Sequence, residues 1–140
     1  VGAGYRGLTL SSARAFAFRY DPVSGNILWS RIFNRPSKSY QLLERTDGDF
    51  MILGESIFSP NPGEGDDALM ILLDRDSGQP APNGPNYAYN FGSSEMFNAN
   101  LIHNGSLYTL SRCTNGSAAD KMRAVLSRFD LNGKTNSAVF

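Results

Sequence analysis

Residues 40–56, YQLLERTDGDFMILGES, lie without a gap over residues 97–113, FNANLIHNGSLYTLSRC. Tyr40 falls on Phe97 and the pair Asp47-Gly48 falls on Asn104-Gly105, a constant offset of 57 residues. A second set of stretches aligns on Asp21, Asp74 and Asp130: AFRYDPVSGNILWSRIF (17–33), MILLDRDSGQP (70–80) and VLSRFDLNGKTNSAVF (125–140), with offsets of 53 and 56. The chain is therefore a tandem repeat with a period of 53 to 57 residues.

Within each repeat the hydrophobic pattern has period two. Phe16, Phe18 and Tyr20 alternate with Ala15, Ala17 and Arg19, and Leu107, Thr109 and Ser111 alternate with Tyr108, Leu110 and Arg112. Side chains of a strand point alternately to opposite faces, so this pattern predicts sheet. Between the runs stand Asp47-Gly48, Asn104-Gly105 and Asn132-Gly133, dipeptides that supply the positive φ of tight two-residue hairpin turns. Asp21 with Gly25, and Asp74 with Gly78, mark slightly longer reversals, and Pro22 presets a turn dihedral in the first of them. RYDPVSGNILW (19–29) thus reads as a hairpin rather than a cofactor signature.

One repeat can be written out in full. Strands are predicted near 39–46, 49–56, 67–74 and 86–91, a four-stranded antiparallel meander interrupted by an acidic Pro/Gly loop at 57–66. The third strand, DALMILLD (67–74), is apolar on both faces, as an inner strand between two neighbouring sheets would be. The predicted organisation is a partial unit at 1–38 carrying the last three strands, a complete unit at 39–95 and a third, shorter unit at 96–140. A period this long with four strands per unit belongs to propeller blades, whereas helical solenoids have shorter repeats. The expected fold class is all-β, with two and a half to three four-stranded antiparallel β-propeller blades forming part of a larger or assembled propeller.

The hairpin FRYDPVSGNILWSRIF followed by TDGDFMILGES and DALMILLD resembles the repeats of secreted bacterial β-propellers, over nearly the whole chain. The Asp…Gly…Trp spacing is also distantly similar to the tryptophan-docking repeat of quinoprotein dehydrogenase propellers, in which a Trp ends the blade and packs between sheets. Only the first unit has that Trp, Trp29; Pro82 and Ala138 occupy the corresponding positions of the others. The resemblance implies a propeller architecture and an extracellular or cell-surface location. It implies no particular activity, since propellers carry unrelated functions.

Composition narrows the classes further. Thirteen basic and thirteen acidic residues cancel and are scattered along the 140 residues, so the electrostatic footprint of a nucleic-acid binder is missing. No apolar run approaches the ~20 residues of a membrane span. One cysteine, Cys113, and one histidine, His103, exclude an internal disulfide, a multi-thiolate metal site and the vicinal cysteine pair of some quinoprotein sites. The two residues fall on neighbouring strands of one predicted hairpin, and Cys113 is expected as a small buried hydrophobe.

Candidate ion contacts are Glu64, Asp66 and Asp67 in PNPGEGDD (60–67), hard oxygen donors for Ca²⁺ that lack the regular spacing of a calcium loop. Glu44, Glu55 and Glu95 are the carboxylates from which a glycosidase pair would have to be drawn, at a separation of ~5–10 Å. Asn104 and Asn115 each open an Asn-Gly-Ser glycosylation sequon. Trp29 is expected to pack between adjacent sheets rather than to serve as a stacking platform for a sugar. Asp21, Gly25, Asp47, Gly48, Asp74, Gly78, Asn104, Gly105, Asp130 and Gly133 are expected to shape turns.

The functional expectation is a non-catalytic scaffold or interaction module that binds a protein or glycan through loops 57–66, 79–85 and 114–120, and that needs no cofactor. Its structural partners are expected to be the remaining blades of the same protein or copies of itself. The alternative is a fragment of a propeller enzyme, a quinone-dependent dehydrogenase or a glycan-cleaving enzyme, whose active site other blades complete.

Overall fold

The computed structural model describes residues 1–9, 12–56, 67–81, 86–89, 94–114, 122–130 and 135–139. Every regular element among them is a strand: β1 (Gly2–Arg6), β2 (Arg14–Tyr20), β3 (Ile27–Glu44), β4 (Phe50–Ser56), β5 (Asp67–Leu73), β6 (Asn86–Tyr89), β7 (Ser94–His103), β8 (Ser106–Thr114), β9 (Met122–Asp130) and β10 (Thr135–Val139). Strands β1 to β6 pair antiparallel in chain order as one sheet, and β7 to β10 form a second sheet, also in chain order. Neither sheet closes on itself among the described residues.

The first sheet is bent along β3. Residues up to Pro36 pair with β2, and residues from Ser37 onward pair with β4. The backbone is continuous as one 18-residue strand across the position, residue 38, after which the sequence suggests a boundary between units. Pro36 lacks an N–H and sits where the ladder passes from one neighbour to the other, so no central ladder bond is lost. Two hydroxyls bind across the handover: Ser37 Oγ donates to the Arg35 carbonyl at 2.9 Å and Ser56 Oγ to the Pro36 carbonyl at 3.1 Å. The result is two arms, β1–β2 with the front of β3, and the back of β3 with β4–β6.

These two arms and the four-stranded sheet stack face to face. Ala17 and Trp29 of the first arm pack with Phe50, Ile52, Leu69, Ile71 and Leu73 of the second. The other face of the second arm, Met51, Leu53, Ala68, Met70 and Leu72, packs on Phe97, Leu107 and Phe129 of the four-stranded sheet. Phe97 and Phe129 meet edge to face with ring centroids 6.0 Å apart. Every residue of β4 and β5 is consequently buried. For β5 the run DALMILLD carries this double burial in its composition. At about 1.5–3 kcal/mol per fully buried large apolar side chain, this middle layer is the main source of stability.

Turn chemistry sets the register within each hairpin. Asn104 (φ 47°) and Gly105 (φ 69°) both adopt positive φ, which closes the expected two-residue turn between His103 and Ser106. Asp47-Gly48 differs: only Gly48 (φ 90°) is positive, and the loop has three residues, closed by the Arg45 N–H to the Asp49 carbonyl at 2.8 Å and the Gly48 N–H to the Arg45 carbonyl at 3.0 Å. Asp47 uses its carboxylate instead, accepting from the Asp49 N–H at 3.1 Å and pairing with Arg45 at 2.9 Å. The extra loop residue shifts the pairing by one. Gly54 therefore faces Ser39, whereas Ser111, its counterpart in the repeat, faces Phe97, the counterpart of Tyr40. Each hairpin then carries a bulge beside that position.

At this bulge Gly54 leaves no room for a side chain, because a Cβ there would lie 1.9 Å from the Lys38 carbonyl oxygen. Gly54→Ala is expected to destabilise the chain at or above the upper end of the ~1–3 kcal/mol typical of overpacking, measured as a lowered midpoint in urea denaturation.

Candidate functional site

Three of the turn residues named in the sequence, Gly48, Asp74 and Gly78, meet at one place, the reversal at Asp74–Gln79. This turn and its repeat partner at Asp21–Asn26 are built alike. Asp74 Oδ1 accepts from the Ser77 hydroxyl at 2.6 Å and the Ser77 N–H at 2.7 Å, and the Gly78 N–H donates to the Asp74 carbonyl at 2.9 Å. Asp21 Oδ2 accepts from the Ser24 hydroxyl at 2.6 Å, Asp21 Oδ1 from the Val23 N–H at 3.0 Å, and the Gly25 N–H donates to the Asp21 carbonyl at 2.7 Å. The serine hydroxyl first, with the backbone N–H groups beside it, favours the ionised carboxylate and lowers both aspartates below the ordinary value.

The second turn is docked against the first arm. Trp29 lies over Gly78 with only 6% of its surface exposed, and its indole N–H donates to the Arg75 carbonyl at 2.8 Å. Arg19 reaches the same carbonyl at 3.0 Å and Asp76 at 3.1 Å, while Arg31 donates to the Ser77 carbonyl at 2.7 Å. From the other side Asp49 Oδ1 accepts the Arg75 N–H at 2.9 Å, and the Arg75 side chain lies against Gly48. Gly48, Asp74, Gly78 and Trp29 thus belong to one docking point between layers. Arg19, Arg31, Asp49 and Arg75 complete it and carry no signal in the repeat alignment, because their partners are backbone carbonyls and amides of distant segments.

A second cluster lies where β3 passes from β2 to β4. Glu55 Oε1 receives both the Tyr40 phenol and the Lys38 ammonium, the latter at 3.2 Å. Lys38 also sits 5.5 Å from the centroid of the Tyr5 ring, and Tyr5 meets Tyr40 edge to face at 6.0 Å. Glu55 is nearly buried, so its charge is held by a partner at close range, a pair that costs several kcal/mol to break from one side. The sequence offers Glu55 only as one carboxylate among several. The bulge at Tyr40 and the register Lys38↔Glu55 bring its partners to it.

The remaining candidates are not assembled into a site. Glu44 pairs with Phe50 and Glu55 with Lys38, six residues apart along the strand, or ~20 Å, which is outside the ~5–10 Å of a glycosidase pair. His103 faces Ser106, whereas Cys113 faces Glu95 at the far end of β8, seven residues or ~23 Å away, so no Cys–His dyad forms. Asp67 opens β5 as a buried residue opposite Ser56, and Glu64 and Asp66 lie outside the described residues, as do Gly133 and Asn115. Asp130 ends β9 opposite Ser106. Among the described residues no three His, Cys, Asp or Glu side chains gather as a metal centre. Between the second arm and the four-stranded sheet, Asn100 Nδ2 donates to Gln41 Oε1 at 2.7 Å.

Comparison with family models, with curated proteins and with solved structures returned no match.

The paired turns provide an internal control. Gly25 (φ 72°) and Gly78 (φ 66°) share a left-handed conformation, but a Cβ at Gly25 meets open space and one at Gly78 lies 2.5 Å from the Trp29 ring. Gly25→Ala is expected to cost about 1 kcal/mol from conformation alone. Gly78→Ala is expected to cost at least twice that and to red-shift Trp29 emission, both read in one fluorescence-monitored unfolding experiment.

The lowered aspartates make a separate prediction in acid. Their stabilisation is complete above the ordinary aspartate value of 3.8 and is lost as pH falls through their lowered values. In the double variant Asp21→Asn/Asp74→Asn, melting temperature should fall less steeply below about pH 4 than in the parent. Parallel acid limbs would contradict it.

Proposed function

We propose that the chain is a segment of a β-propeller and serves as a non-catalytic scaffold or interaction module of an extracellular or cell-surface protein. The observation that supports this reading is the stack itself. Three meandering antiparallel layers follow one another in chain order, the middle one buried on both faces, with the Asp74 turn of one layer docked onto Trp29 of the layer before it. Propellers close with about 4–8 such layers, so this segment supplies part of a ring.

On this reading the Lys38–Glu55–Tyr40 cluster is structural. A single Glu oxygen receives both partners, and Glu44, the other candidate carboxylate of this hairpin, stands at its opposite end. The segments 57–66, 79–85 and 114–120, which lie mostly outside the described residues, are the ones this reading assigns to contact with a protein or glycan partner, because loops on a rigid scaffold tolerate sequence change.

The docking of Trp29 favours one second reading, a fragment of a quinone-dependent propeller enzyme whose reacting groups other layers supply. Hydrolysis of a glycan panel and dye-coupled alcohol oxidation with added quinone, run on the protein purified from its source beside binding to the same glycans, separates the two. The scaffold reading expects no turnover in either assay. Sustained turnover would overturn it and place the chain among the enzymes.

A further inference from the structure

The two outermost faces of the stack are the unmatched halves of an interface that the chain already makes twice. Leu110 pairs with Leu126 and Tyr108 with Arg128 on the outer face of the four-stranded sheet. Shifted by one repeat these are Leu53 with Met70 and Met51 with Leu72, in the same register, which form the buried surface that the second arm presents to the next layer. Leu53 and Met70 are 0% exposed, whereas Leu110 and Leu126 are 44% and 46% exposed. Leu101, opposite Tyr108, extends this apolar surface.

The outer face of the first arm is the other half. Phe16 and Phe18 stand opposite Gly4 and Gly2, and Ile32 stands opposite Phe16. One repeat later, Leu69 and Ile71 stand opposite Gly54 and Ile52, again in the same register, on the face that packs against the preceding layer. The phenyl rings of Phe16 and Phe18 cover the spaces where side chains at Gly4 and Gly2 would lie, giving a flat aromatic platform edged by half-exposed Ile32 and Tyr20. One end of the stack is thus a preceding-type face and the other a following-type face.

We infer that a second copy of this chain covers these faces head to tail, the four-stranded sheet of one copy packing through Leu101, Leu110 and Leu126 on the Phe16, Phe18 and Ile32 face of the next. The occupant follows from continuity with the internal interfaces: the surface that fits a following-type face is a preceding-type face, and this chain carries one. Two faces of opposite type make a heterologous contact, which on the stacked-propeller reading closes into a ring of defined size, whereas a two-fold dimer would join faces of the same type. The inference rests on the stacked-repeat reading above and adds to it the identity of the partner and the polarity of the contact.

The test uses two variants at exposed positions, Leu110→Arg/Leu126→Arg on one face and Ile32→Arg on the other, with light scattering coupled to gel filtration. The parent is expected to form oligomers of defined stoichiometry. Each variant alone is expected to be a monomer, because every contact needs one face of each type, and an equimolar mixture is expected to give a heterodimer with one contact. A monomeric parent, aggregates of no defined stoichiometry, or a variant that still dimerises alone would overturn the inference and assign the faces to another occupant, such as further repeats of a longer polypeptide. Hydrogen exchange on the same samples keeps the two readings apart. Slow exchange of β4 and β5 in a monomer leaves the stacked-repeat reading standing, while fast exchange there would remove both.

Discussion

Burial of both faces of the middle layer is the constraint on which the rest of the structure depends. β4 and β5 have no solvent-facing side, so their apolar faces are covered only when the first arm and the four-stranded sheet are both in place. The layers accordingly stabilise one another, as in repeat proteins, where a unit alone cannot bury its apolar surface. The same constraint explains the polar details between layers. Trp29 places its N–H on a carbonyl, and Glu55 is surrounded by Lys38 and Tyr40, because a polar group left unmatched there would cost more than its bond returns.

The docking of the Asp74 turn gives this stacking its specificity. Apolar faces alone would allow layers to slide or rotate against each other. The carbonyls of Arg75 and Ser77, held in a rigid turn by Asp74 and Ser77, accept from Trp29, Arg19 and Arg31 only at one relative position. Arg19 with Asp76 is an exposed ion pair and adds little by itself, so the fixed carbonyls and the indole do most of the positioning. Function, on this view, belongs to the surfaces such a rigid stack displays, with the turn and the ion-pair cluster serving to hold the layers in place.

The parts of this architecture that were legible in the sequence are those governed by local chemistry. Alternation marks strands because side chains must divide between two faces, and β5 announces a doubly buried strand because it has no polar face. Asn104-Gly105 announces a two-residue turn because both residues tolerate positive φ. Asp47-Gly48, written with nearly the same letters, does otherwise, since Asp47 satisfies its backbone neighbours through its carboxylate and lengthens the loop by one residue. The one-residue shift, the bulges and the close approach at Gly54 follow from that difference and leave no trace in the spacing of the repeat.

Sequence by itself determined the repeat, the strands, the turn positions and the expectation that Trp29 is packed, because each of these rests on residue type and spacing within a few positions. Tertiary structure alone decided that β3 runs unbroken between two layers, that Arg75 offers its carbonyl to Trp29, that Lys38 and Tyr40 meet at Glu55, and that Glu44 stands far from Glu55 and Cys113 far from His103. The physical reason is that such contacts join backbone and side-chain atoms tens of residues apart, and their geometry is set by register and by the docking of layers rather than by the identity of either residue.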